Sequence, residues 1–439
     1  MSIELITVIL FCVTFFLLGL GLPISFTMGG VGAIFAMFFW GLDQLPILAL
    51  AAYSNLQDLN LAAIPMFVLM GWILQASGIA DELFEVMHVW LGNLRGGLAI
   101  GVIVLATLFA AICGELVAAI FTITTIALPP MIKRGYDKVL SVGCIMAGGL
   151  LGIIIPPSLE VIVYSSMTGE SVGRMYLGTF IPGLILASLY IIYIAIRCYF
   201  KPELGPPIPK EARVGWKEKI IKLKGVISPL ILLIAIMGGI YSGAVSPMEA
   251  SAVGATGAII SAIIHKRLSW RVLKEAVRMT IRIGAMAAWL LIGIGVFTSV
   301  YSGIGALDLA EKIAYALPGQ GWGVIILTQI ALIVFGMFLD DWAVIMIFAP
   351  IFVSVIKTLG FDSLWYGVLF MVNIQLAFLT PPYGFALFCM RAAVPDGIEI
   401  DMKDIYRAAI PFIGLQFICL IVIMIFPGLT TWLPQLFIR

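Results

Sequence analysis

One set of landmarks occurs twice at a constant spacing. Ser77-Gly78-Ile79, Glu115, Gly135-Tyr136-Asp137 and Pro156-Pro157 are followed 225 positions later by Ser302-Gly303-Ile304, Asp340, Gly360-Phe361-Asp362 and Pro381-Pro382. The same shift carries Gly32-Ala33-Ile34 onto Gly257-Ala258-Ile259. An unchanged offset over such a length means duplication without net insertion. The chain therefore reads as two structural halves, each placing an acid and a Pro-Pro break inside apolar segments.

The surroundings of these landmarks exclude a soluble fold. Only 11% of residues are charged and 62% are hydrophobic, against about 25% charged in soluble domains. Apolar runs of about 18–20 residues recur, long enough to cross a bilayer. The net charge of +1 gives no bulk field for nucleic acid, and no nucleic-acid module is visible. Met1-Ser2-Ile3-Glu4 lacks a basic start, so the first apolar run reads as a retained helix rather than a cleaved signal. None of the six cysteines has CxxC spacing, and neither a zinc site nor a disulfide framework is expected. His88 and His265 read as interfacial polar residues.

The apolar segments are approximately 3–22, 26–41, 59–78, 96–113, 115–132, 138–155, 158–167 and 175–198. After a polar linker, 201–224, come 225–243, 247–265, 283–302, 320–339, 342–357, 363–380, 383–390 and 405–428. Charge in the middle of 96–132 and 320–357 predicts helical hairpins, over 96–133 and 320–357, that enter the membrane and turn back. The Pro-Pro pairs predict broken crossings over 138–167 and 363–391, because proline removes a donor and clashes with the preceding turn. Carbonyls freed there must line a cavity or a protein-buried site, since lipid cannot satisfy them.

On this reading five crossings precede the linker, so the second repeat, 225–439, is inverted relative to the first, 1–200. Placing both termini outside puts 21 of the 25 basic residues in the cytoplasm and leaves Arg174, Lys312, Lys357 and Arg439 outside, as the positive-inside rule requires. The linker is then cytoplasmic, with a short amphipathic helix expected over Val214–Lys224. Segments 80–94 and 306–316 read either as arms lying along the bilayer or as ordinary loops.

Inverted repeats with discontinuous helices are the signature of secondary transporters, whose sites lie at half-helix ends near the midplane. Helix amino termini suit an anion; unwound carbonyls suit a hard cation such as sodium. Acids within a membrane read as functional. Asp340 either coordinates a cation, orients its tip or caps a helix, and Asp341 is expected to cap the helix running to Lys357. Glu115 binds a cation, carries a proton or caps the helix from Leu116. Ser158 and Thr380 offer hydroxyl oxygens. Asn373 and Gln375 face substrate or bond between helices. Glu160 faces substrate or pairs with a base. Gly148-Gly149 reads as close helix packing. No ATP-binding, catalytic-triad or metal motif is evident, so a gradient rather than ATP should drive transport, no resident cofactor is expected, and the chain does not read as an enzyme.

Several stretches also resemble a known family. Lys133-Arg134-Gly135-Tyr136-Asp137, Ala147-Gly148-Gly149-Leu150-Leu151-Gly152-Ile153-Ile154-Ile155-Pro156-Pro157-Ser158, Gly336-Met337-Phe338-Leu339-Asp340 and Leu379-Thr380-Pro381-Pro382-Tyr383-Gly384 are similar to the large membrane subunit of tripartite ATP-independent periplasmic (TRAP) transporters. The resemblance spans essentially the whole chain. It implies an importer of organic acids, commonly carboxylates, driven by a sodium gradient in the cytoplasmic membrane. It also implies an extracytoplasmic binding protein, a small four-helix membrane subunit, and an elevator movement of 96–167 and 320–391 against the remaining helices. The expected ion site comprises Gly114, Glu115, Pro156, Gly336, Asp340, Thr380 and Pro382. The expected substrate site comprises Ser158, Glu160, Met337, Asp341, Asn373 and Gln375. The first tip departs from the family's Ser-Gly-Ser-Ser pattern, reading Cys113-Gly114-Glu115-Leu116. A carboxylate there either strengthens a cation site or admits proton coupling. The second tip, Asp340-Asp341-Trp342, is bulkier and more acidic than the family's common pattern, which implies room for a substrate other than a simple dicarboxylate. The competing readings are a binding-protein-independent or proton-coupled anion transporter of similar architecture, and a membrane scaffold without a transport cycle.

Overall fold

A computed structural model describes residues 2–209, 214–316, 319 and 321–437. Lys210, Arg213 and Arg439, which enter the charge argument, lie outside the described residues, as do the side chains of Cys113, Lys224 and Asp308. The described chain is helical with no strand.

The first half runs α1 (Ile3–Gly19), α2 (Ile24–Phe39), α3 (Leu45–Leu56), α4 (Ala63–Ala76), α5 (Ile79–Leu91), α6 (Gly97–Cys113), α7 (Leu116–Lys133), α8 (Lys138–Leu150), α9 (Leu159–Thr168) and α10 (Val172–Phe200). The second runs α11 (Trp216–Lys222), α12 (Lys224–Tyr241), α13 (Pro247–Ile264), α14 (Trp270–Gly303), α15 (Ala306–Ala316), α16 (Trp322–Gly336), α17 (Asp341–Thr358), α18 (Ser363–Leu379), α19 (Phe385–Ala393), α20 (Met402–Ile425) and α21 (Gly428–Phe437). By length and composition, seven helices among the described residues can cross a membrane. They include α7 and α17, the second arms of the two expected hairpins, as well as α10, α14 and α20. The chain is an all-α polytopic membrane protein.

The breaks fall where prolines and charges interrupt the apolar pattern. α6 ends and α7 begins around Gly114-Glu115, and Asp340 separates α16 from α17. Pro156-Pro157 lies between α8 and α9, Pro381-Pro382 between α18 and α19, and both peptide bonds are cis. The segments expected as arms or loops are the helices α5 and α15.

Three helices depart from the segment boundaries above. α14 begins at Trp270, thirteen residues before the apolar run that suggested it. Its first part holds Arg271, Lys274, Arg278 and Arg282, which hydropathy scores as loop but which propagate a helix well. Ser269 caps it by accepting from Val272 N at 3.2 Å. α3 and α21 arise from short Pro-containing stretches that a span-length window does not resolve.

Small residues set the closest helix approaches. A Cβ on Gly293 in α14 would lie 2.2 Å from the Ser25 carbonyl oxygen of α2. Gly148 and Gly149 of α8 would clash with Ala106 of α6 and Ile120 of α7, at 2.8 and 2.6 Å. These glycines let backbones meet where no aqueous hydrophobic effect drives association.

The linker helix docks on the first arm. Trp90 Nε1 of α5 donates to the Lys219 carbonyl at 3.1 Å, and the Trp90 and Trp216 rings meet edge-on at 5.9 Å. Lys222 pairs with Glu85 at 2.7 Å, and Arg267 with Glu82 at 3.1 Å. The apolar side chains Trp216, Ile220 and Ile221 stay exposed, as expected of a helix lying in an interface.

Candidate transport site

The first tip is built on one glycine. Gly114 has φ +58°, a left-handed conformation that costs a side-chain-bearing residue energy. Its carbonyl accepts from Leu159 N at 3.4 Å, and a Cβ would sit 3.3 Å from the Pro157 carbonyl oxygen. The tip thus rests directly on the first Pro-Pro break, at the start of α9.

Glu115 caps α7, accepting from Val117 N at 3.0 Å and Ala118 N at 2.6 Å. It also borders a small gap shared with Trp72 and Gln75 of α4 and Ile283 of α14. In the second tip, Asp340 caps α17 by accepting from Ala343 N at 2.7 Å. The capping role expected of Asp341 therefore falls to its neighbour. Asp341 is the first helical residue; its Oδ1 accepts from Trp342 N at 3.0 Å, and its carboxyl meets that of Glu160.

α17 packs along α9, which brings acids from both halves together. Glu160, in the first turn of α9, lies within electrostatic reach of Asp341 and Glu115, and Asp341 within reach of Asp340 and Glu115. No base is among the groups acting on these four acids, and the three ion pairs among the described residues lie elsewhere. Of the two expectations for Glu160, pairing with a base is the one the structure does not support.

Ser158 caps α9 through Val161 N at 3.4 Å. Its Oγ is 2.8 Å from both the Ile153 carbonyl oxygen and Glu160 Oε2. The Tyr176 hydroxyl of α10 donates to the Ser158 carbonyl at 3.1 Å. Pro156 is buried beside it.

The second break is arranged differently. Thr380 Oγ1 donates back to the Leu376 carbonyl at 2.7 Å, and the Pro382 carbonyl accepts from the Tyr406 hydroxyl at 3.1 Å. A Cβ on Gly336 would meet that of Ala377 at 2.7 Å, so the end of α16 presses on α18; Met337 is half-buried next to it. Asn373 Nδ2 donates to the side-chain and backbone oxygens of Gln329 in α16, at 2.7 and 3.0 Å, which is a bond between helices. Gln375 is fully buried, and neither polar atom of its side chain has a partner.

The arrangement thus gathers Gly114, Glu115, Pro156, Ser158, Glu160, Asp340 and Asp341 around the first break. Gln329 was not among the expected residues. Its only signal in the sequence is a polar side chain inside the apolar run Trp322–Gly336.

Comparison with known proteins shows what the chain is similar to. The family described as "Tripartite ATP-independent periplasmic transporter, DctM component" matches residues 11–429. The chain belongs to the DctM family. It is 30% identical to the C4-dicarboxylate TRAP transporter large permease DctM of Vibrio cholerae, over 98% of this chain and 97% of that protein. It is 27% identical to the ectoine TRAP transporter large permease TeaC of Halomonas elongata, over 96% and 97%. The fold of this DctM-family permease is also that of the Alcanivorax borkumensis YdaH transporter, with a TM-score of 0.63 over 88% of this chain and 89% of that one, at 12% identity.

Proposed function

We propose that the chain is the large membrane subunit of a sodium-driven importer of organic acids. The observation that carries this reading is the meeting of the first hairpin tip, the second tip and the first Pro-Pro break, with helix ends and acids from both halves at one buried locus. Half-helix ends at midplane depth are how secondary transporters hold ions and substrate. Gly114, Glu115, Pro156 and Asp340, at the first break, hold the coupling ion, while Gly336, Thr380 and Pro382 line the second break. Ser158, Glu160, Met337, Asp341 and Gln375 shape the substrate side. The relatives' names include a dicarboxylate and ectoine, which supports small organic acids as the substrate class.

The subunit lies in the cytoplasmic membrane with both termini outside, in two inverted repeats. An extracytoplasmic binding protein delivers substrate, and a small four-helix subunit braces the scaffold; the word tripartite in the family's description supports both partners. Hairpins and broken helices, 96–167 and 320–391, move as an elevator against the rest.

The test is uptake into vesicles holding this chain. Uptake is expected only with the small subunit, the binding protein and an inward sodium gradient present together. Unchanged uptake after collapse of the sodium gradient, with a proton gradient kept, rejects sodium coupling. Uptake without the binding protein rejects the tripartite reading.

A further inference from the structure

The first break poses a question of proton count. The Ile153 carbonyl would ordinarily accept from an N–H three or four residues on, but those residues are Pro156 and Pro157, which have none. The Ser158 hydroxyl stands in, 2.8 Å away. The same Oγ is 2.8 Å from Glu160 Oε2 and accepts from Val161 N at 3.4 Å. A hydroxyl has one proton and two lone pairs. If its proton serves Ile153, the contact with Glu160 needs a proton on Glu160. If it serves Glu160, the carbonyl that the break freed is left bare.

The far side of Glu160 points the same way. The residue is 1% exposed, and its Oε1 has no hydrogen-bond partner. The titratable groups around it are Asp341 of α17, with Asp340 behind, Glu115 of α7 and Tyr176 of α10. None is a base. An ionised Glu160 would be a buried, half-paired anion beside other carboxylates, which is costly.

We propose that Glu160 is a proton-binding site. Its Oε2–H donates to Ser158 Oγ, Ser158 Oγ–H donates to the Ile153 carbonyl, and Asp341 is the charged neighbour. The bound ligand is H⁺, held on the broken helix. That the proton travels with substrate rests on the transport reading above; that it is bound does not.

Infrared spectroscopy of the purified whole chain in lipid nanodiscs at neutral pH tests this without sodium, substrate or partners. The spectrum should contain a protonated-carboxyl C=O band that shifts in heavy water. The band should be lost in Glu160→Gln, kept in Glu115→Gln, and moved to higher frequency in Ser158→Ala, where its acceptor is gone. Glu160→Gln should fold, because Gln Nε2–H can donate to Ser158 Oγ as the acid does. Ser158→Ala gives a second reading that keeps the glutamate. No band in the unmodified chain, or a band that persists in Glu160→Gln, overturns the proposal. Loss in Asp341→Asn with persistence in Glu160→Gln overturns it too, by moving the proton to Asp341. If the band behaves as stated while vesicle uptake fails, the proton site stands and the transport reading falls.

Discussion

Gln75 Nε2 in α4 donates to Thr122 Oγ1 in α7, across the boundary between the proposed scaffold and the first hairpin. In the proposed elevator cycle one helix stays and the other moves, so the bond would have to break. Thr122→Val keeps the shape and removes the acceptor. A buried neutral hydrogen bond is worth about 1 kcal/mol, or roughly fivefold in an equilibrium. Initial uptake rates should change by that factor, with sodium affinity unaltered.

Asp340→Asn separates charge from capping. Asparagine caps helices nearly as well as aspartate, so expression and melting temperature should stay near those of the unmodified chain. If Asp340 serves the ion, half-saturation for sodium should rise by roughly tenfold or more, equivalent to about 1.4 kcal/mol in ion binding. Sodium titration of uptake provides the measurement. Equal losses of expression and uptake would mean that the cap is the residue's only role.

Gly114→Ala is expected to weaken the first tip. The left-handed backbone costs an alanine about 1–2 kcal/mol, and its Cβ would also press on the Pro157 carbonyl. Gly243 provides a control: it has φ +69°, and a Cβ added there would meet nothing within 4 Å. Both alanine variants should melt lower, but only Gly114→Ala should also lose uptake.

Burial, followed by the nearby positive charge of Arg134, pushes His88 in the arm helix α5 down to about 4. The unfolded side chain titrates near 6.5, so the unfolded state takes up the proton first as pH falls. Stability should be full above pH 6.5, decline as pH falls below it, and level off below about 4. Melting temperature followed across that range checks the sign, and His88→Gln should flatten the curve.

Much of the helical layout was legible because proline and mid-membrane charge act locally. Pro156-Pro157, Gly114-Glu115 and Asp340 each interrupt an apolar run that would otherwise continue, and the chain breaks there. The first part of α14 was not legible by hydropathy, since Arg271 to Arg282 look like loop to any scale that scores transfer rather than helix propensity. The meeting of Glu160 with Asp341 was hidden for a different reason. The repeat register aligns Glu160 with Phe385 and Asp341 with Leu116, so internal symmetry pairs neither acid with the other. Only the packing of α17 along α9 brings them together. Glu115 was visible as an acid at a tip, but its two backbone bonds depend on the turn that Gly114 permits.

The caps at this locus also govern which charges can enter it. The amino termini of α7 and α17, the ends that would otherwise welcome an anion, are already occupied by Glu115 and Asp340. A carboxylate entering this locus would compete with the chain's own side chains for the same N–H groups, and a cation or proton arriving first would weaken that competition. On the proposed transport reading, these helix ends favour loading positive charge before negative.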